Sequence, residues 1–131
     1  MRRLASIVAA MLLAGIAAFQ LALILGAPWG RLTQGGGTPG ALPAGGRVLA
    51  AISILILIVL WLAVSGRAGW GPARGWRPRL LAGLCWVAAA YSLLAVVLNA
   101  ATPSNEERAL WLPVSIVLAL CIWLVAWPTR R

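Results

Sequence analysis

The stretch VLAAISILILIVLWLAVS, Val48–Ser65, decides the fold: its centre, Ile52–Leu60, is bulky on every side, and the whole run carries no charged residue. Wound as a helix at 1.5 Å per residue it rises roughly 27 Å, close to the hydrocarbon thickness of a bilayer. Three further runs have the same character, Leu4–Gly26, Leu80–Ala101 and Ala109–Trp127. The four together reach roughly 27–34 Å each. The expected architecture is therefore all-α: a polytopic membrane protein whose residues 1–131 form one domain, an antiparallel bundle of four transmembrane helices (about 4–26, 48–65, 80–101 and 109–127).

Composition agrees, since 63% hydrophobic and 10% charged residues leave almost no material for a soluble domain. Eleven basic residues against two acidic ones give a net charge of +9. Every basic residue is an arginine, and the arginines sit in short segments beside the apolar runs, where cytoplasmic retention and anionic lipid account for them without nucleic acid. With the N-terminus inside, the inner segments hold Arg2, Arg3, Arg67, Arg74, Arg77, Arg79, Arg130 and Arg131, against Arg31, Arg47 and Arg108 outside. That bias places both termini in the cytoplasm and the 27–46 and 102–108 loops on the outer face. Met1-Arg2-Arg3 before an apolar run resembles a signal peptide, but the run is too long for an h-region and lacks an Ala-x-Ala close. The use of Arg to the exclusion of Lys, with abundant Ala, Gly and Trp, suggests a GC-rich bacterial genome, and with it a bacterial inner membrane as the expected location.

The spans differ in how they are expected to pack. Ala10, Ala14, Ala18, Ala22 and Gly26 repeat every four residues and predict a close helix contact along that face of span one. Span two, with its run of Ile and Leu, is expected to be the most lipid-exposed. Ala88-Ala89-Ala90 and Ala95 offer contact points on span three. Trp29 and Trp111 mark the outer boundary, and Trp61, Trp70, Trp76, Trp86, Trp123 and Trp127 gather toward the inner one, as interfacial tryptophans do.

The inner connection, Gly66–Arg79, interleaves Arg with Trp and is broken by Gly and Pro, so it is expected to lie on anionic lipid at the inner leaflet. The outer connection after span one is long for a helical hairpin and contains Gly35-Gly36-Gly37, without any phosphate-binding signature around it. In the second outer loop, Thr102 before Pro103, or Ser104 with Glu107 three residues later, supplies an N-cap for span four. Glu106 and Glu107 are the only carboxylate side chains and share that face with Arg31, Arg47 and Arg108. An ion pair between the loops is expected, with Glu107, or failing that Glu106, reaching Arg31 or Arg47.

Polar residues within the spans are few and lie toward the outer ends: Gln20, Ser53, Asn99 and Ser115, with Ser92 deeper. On an antiparallel bundle their levels coincide. They either line a shallow polar pocket beneath the outer loops or lock the bundle through interhelical hydrogen bonds, the second being the more ordinary outcome. Pro113 frees the carbonyl of Ala109 and is expected to bend span four near this level. Cys85 and Cys121 lie toward the inner ends, in apolar surroundings, and no Cys-x-x-Cys is present. There is no histidine and no acid inside a span, so haem ligation, a metal centre, an intramembrane protease dyad and carboxylate-coupled export are not indicated, and no cofactor is expected.

Gly26-Ala27-Pro28-Trp29-Gly30, the later Gly35-Gly36, Leu42-Pro43 with Arg47, and Thr102-Pro103-Ser104 with Glu107-Arg108 resemble a pattern seen in small four-span bacterial inner-membrane proteins of no assigned activity. The resemblance covers most of the chain. It implies that the outer-face residues act together, and it implies no reaction.

The expected function is that of a non-enzymatic accessory or scaffold component of the membrane, partnered by lipid and by another membrane protein or a second copy of itself. The alternative is binding or transport of a small amphiphile or lipid through the outer polar pocket.

Overall fold

The computed structural model describes residues 1–128. Four helices dominate it: α1 (Arg2–Ile24), α2 (Ala44–Arg67), α3 (Pro78–Ala101) and α4 (Asn105–Ala126). Each is long and apolar enough to cross a membrane. They form a ring in which α1 packs on α2, α2 on α3, α3 on α4, and α4 closes back on α1. One end of the bundle carries the α1–α2 and α3–α4 connections, the two-loop end. The other, the terminal end, carries Met1, the α2–α3 connection and the close of α4.

The helix boundaries follow from local chemistry rather than from hydropathy alone. Pro78 opens α3 at a position where its missing N–H would be unpaired anyway. Ser104 caps α4, its Oγ accepting the Glu107 N–H at 3.1 Å, so the helix begins four residues before the apolar run. Helices α1 and α2 end alike. Gly26 (φ 99°) and Gly69 (φ 82°) turn the chain into the left-handed region, and the next residues' amides, Ala27 and Trp70, reach back to the carbonyls of Ala22 and Ser65. Helix α4 runs unbroken through Pro113.

The main core is not at mid-height. Ala5, Ala9 and Leu13 of α1 meet Leu57, Leu60, Ala63 and Val64 of α2, Cys85, Ala88 and Ala89 of α3, and Leu118, Ile122, Val125 and Ala126 of α4. Apart from Leu13, at the middle of α1, all of these belong to the half of their helix nearer the terminal end. Small residues permit close approach there. The Cys85 thiol reaches the Ala63 carbonyl at 3.2 Å, and the Trp123 indole N–H donates to the Ala89 carbonyl at 3.2 Å. The α2–α3 connection is drawn onto this end: Ala73 is fully buried, and the Trp70 indole N–H donates to Ser6 Oγ at 2.7 Å. Arg74, Arg77 and Arg79 remain exposed on it.

Two packing expectations are corrected. The Ala10/Ala14/Ala18/Ala22 row does not form the contact seam; Ala14 and Ala18 are exposed, and the seam runs instead through Ala5, Ser6, Ala9, Leu13 and Leu23. A row spaced strictly by four winds about 40° round the helix at each step, so it cannot follow a nearly straight neighbour for its whole length. Nor is α2 the most exposed helix, since 33% of its apolar window is buried against 17% for α1. Sitting between α1 and α3, it must present two covered faces, and Leu57, Leu60, Ala63 and Val64 fill them.

This packing sets an expectation for overpacking. Ala9→Leu, at a fully buried site, should lower stability in detergent by about 1–3 kcal/mol, while Ala14→Leu should leave it nearly unchanged. Thermal unfolding of the two variants checks this, and equal losses would contradict the seam.

Candidate functional site

The long α1–α2 connection is folded into a compact cover. The Gly30 N–H donates to the Gly40 carbonyl at 2.8 Å, closing the loop on itself, and the turn Gln34–Gly36 lies against the start of α4. Three side chains of α4 and its cap, spaced by three and four residues and so on one helix face, hold the cover down. Ser104 Oγ donates to the Arg31 carbonyl at 2.8 Å, Glu107 Oε2 accepts the Gly35 N–H at 3.0 Å, and the Trp111 indole N–H donates to the Leu32 carbonyl at 2.7 Å. Gly36 (φ 70°) makes the approach possible: a Cβ there would stand 2.6 Å from Ser104 Cβ. Beneath the cover Phe19 stacks on Trp29 at 5.7 Å and meets Trp111 edge-on at 4.8 Å.

Glu107 is 8% exposed. The same oxygen, Oε2, also accepts the Thr102 hydroxyl at 2.6 Å. Among the described residues the carboxylate pairs with no arginine, which corrects the expected Glu107–Arg pairing. Backbone and hydroxyl donors take that place because they are already ordered at the helix start. The ion pair that does form is Arg31–Glu106 at 4.0 Å, with both side chains more than half exposed, and such a pair contributes about 0–1 kcal/mol. Arg47 does not reach a carboxylate either: its guanidinium donates to the Leu42 carbonyl at 2.9 Å and the Ile24 carbonyl at 3.5 Å, closing the end of α1. Arg108 donates to the Thr102 carbonyl and to Asn105 Oδ1. Both arginines therefore act on the loops' backbone and not in a charge network.

Under the cover lies a cavity of about 530 Å³. It takes in all four of the span polar residues expected at this level, Gln20, Ser53, Asn99 and Ser115, and the deeper Ser92. It also takes in Glu107, Thr102, Thr33, Gln34 and Tyr91, which were not foreseen as lining residues. The signals for these were the three-glycine turn beside Gln34 and the chain's single tyrosine on span three, neither of which says by itself which way a side chain points. The lock of interhelical hydrogen bonds is not formed by the serines. Ser53, Ser92 and Ser115 each donate back to their own helix, to the carbonyls of Leu49, Ala89 and Leu112, which leaves their oxygen lone pairs free. Gln20 Oε1 is buried with no hydrogen-bond partner among the described residues.

The cavity is graded. Its two-loop end is polar, through Glu107, Thr102, Thr33 and Gln34, while Leu57, Leu60 and Leu118 form an apolar floor toward the dry core. Helix α3 has no buried residue beyond Ser92, and Leu94 and Leu98 line the cavity while remaining more than half exposed. The mouth therefore opens sideways along the last turns of α3. Gly35 and Pro103 line both this cavity and a shallower groove above it, so the cover is a single layer of chain. No protein-family model, no curated protein and no solved structure matches the chain.

The two acids should behave differently on removal. Glu107→Ala takes away the acceptor of the Gly35 N–H and the Thr102 hydroxyl and should cost about 1.5–3 kcal/mol and expose the cover to protease. Glu106→Ala should cost less than about 1 kcal/mol and leave cleavage unchanged. Limited proteolysis and thermal unfolding check both, and similar behaviour of the two variants would contradict the assignment.

Proposed function

We propose that the protein is a non-enzymatic, membrane-embedded binding protein for a small amphiphile or lipid. The observation that carries this reading is the graded cavity with its lateral mouth. Its volume lies within the ~300–1,000 Å³ of small-molecule sites, and its polar end and apolar floor match a molecule with a head and a tail. A mouth along α3 lets such a molecule enter from the bilayer without crossing water. Binding rather than catalysis is favoured because the sequence holds no histidine to act as base.

Native mass spectrometry of the protein released from phospholipid nanodiscs, after addition of a dodecyl amphiphile, tests the reading. One tightly held amphiphile per chain is expected. Ala95→Trp, which fills the cavity from a half-buried lining position, should abolish it without loss of thermal stability. Unchanged retention in that variant would contradict the proposal.

The accessory or scaffold reading keeps a place beside this one, favoured by α1. Its apolar window is the least covered, and its exposed side includes Met11, Ala14 and Ala18, a surface that another membrane helix could cover. Pull-down of the chain in mild detergent, with Ala14→Trp as the blocking variant, tests it. Loss of a co-purifying membrane protein or second copy is the expected result.

For location, we propose a bacterial inner membrane with both termini cytoplasmic and the exposed Arg74, Arg77 and Arg79 against anionic lipid. Arg130 and Arg131 lie outside the described residues, but the remaining arginines keep the same bias. In a cysteine-free background, single cysteines at Gly37 and Gly75, both with open space around them, should label from outside and only after permeabilisation, respectively. The reverse pattern would overturn the orientation.

A further inference from the structure

We infer that the cavity selects an amphiphile with a cationic, hydrogen-donating head, a protonated alkylamine in chemical class; this rests on the cavity being a binding site and adds what it recognises. The chain holds eleven arginines and two acids, yet among the described residues no arginine lines the cavity and Glu107 does. The charge inside is thus opposite in sign to that of the molecule as a whole.

The carboxylate is only half used. Both of its hydrogen bonds, from the Gly35 N–H and the Thr102 hydroxyl, go to Oε2. Among the described residues, Oε1 takes none and no arginine lies within ion-pair distance of Glu107. A buried carboxylate with one vacant oxygen is a strong acceptor, and a charged donor beside it forms a shorter, stronger bond than a neutral one.

Beside the amide and hydroxyl donors of Asn99 and Tyr91, three further oxygens in the wall stand ready as acceptors. Gln20 Oε1 is buried and unpartnered, and Ser53 and Ser115 spend their protons on their own helices and offer lone pairs. Acceptors facing one space favour a head with several N–H donors, which an ammonium group supplies and a sulfate or phosphate does not. An anionic head would meet a carboxylate in a poorly screened site. Below it, Leu57 and Leu60 receive the tail.

The test compares dodecylammonium, dodecyl maltoside and dodecyl sulfate in competition for the protein in phosphatidylcholine nanodiscs, read as bound fraction by native mass spectrometry. Wild type should retain dodecylammonium over the neutral maltoside by about tenfold and should exclude the sulfate. Glu107→Gln keeps the shape of the side chain and an acceptor for the cover, so it should still bind the maltoside while losing the ammonium preference. Glu106→Gln removes the same charge from the exposed surface and should keep that preference. Equal retention of all three by wild type, or an ammonium preference that survives Glu107→Gln, would overturn the inference and leave the binding site standing. Failure of all three to bind a wild-type protein that melts normally would overturn the binding site itself.

Discussion

One carboxylate oxygen joins the two connections at the same end of the bundle. Glu107 Oε2 accepts a hydroxyl from its own loop and a backbone N–H from the other, and Ser104 and Trp111 extend that grip on either side of it. The constraint behind this is general. Backbone polar groups near a bilayer must find partners within the protein, and a loop of many residues brings many of them. Here side chains from a single face of α4 satisfy Arg31, Leu32 and Gly35, so an irregular segment can rest on the ends of the helices as a cover. A carboxylate suits the centre of that arrangement because it stands in the first turn of a helix, where negative charge complements the dipole.

The cover has something to cover because the bundle is packed unevenly. Alanine, glycine and cysteine at the terminal end bring the helices together: Ala63 and Gly66 on α2 face Leu81 and Cys85 on α3, and Ala89 meets Trp123. Toward the loops the residues grow larger, with Phe19, Tyr91, Leu94, Leu98 and Trp111, and α3 no longer buries any side chain beyond Ser92. Close packing in one half is what makes room in the other. The second half is then held by a small cluster of Leu23, Leu42 and Ala50 and by the hydrogen bonds to the cover. Stability and site are thus divided along the helix axis, and the site half is the part that a ligand or a mutation can move at least cost to the rest.

Much of this was legible in the sequence, for reasons that differ by feature. The helices were, because uncharged runs of this length have few alternatives. The shared level of Gln20, Ser53, Asn99 and Ser115 was also legible, since depth in an antiparallel bundle follows from counting residues. Rotation about the helix axis was not. That is why the Ala14 face was assigned to the contact and lies outside it, and why Tyr91 was not foreseen in the wall; Gln34 was missed because it stands on a loop turn whose path residue counting does not give. The partner of Glu107 was misread for another reason. Charge counting favours an arginine, whereas the local geometry of a helix start and a glycine turn offered neutral donors already in place, with no long side chain to order.

The central claim is that Glu107 holds the glycine turn shut over the cavity through the Gly35 amide. Amide hydrogen exchange at Gly35, measured in nanodiscs beside Gly37, reads that bond directly. The account predicts that exchange at Gly35 is slowed well below that at Gly37 and returns toward it in Glu107→Ala; equal, fast exchange at both glycines in the unaltered protein would contradict it.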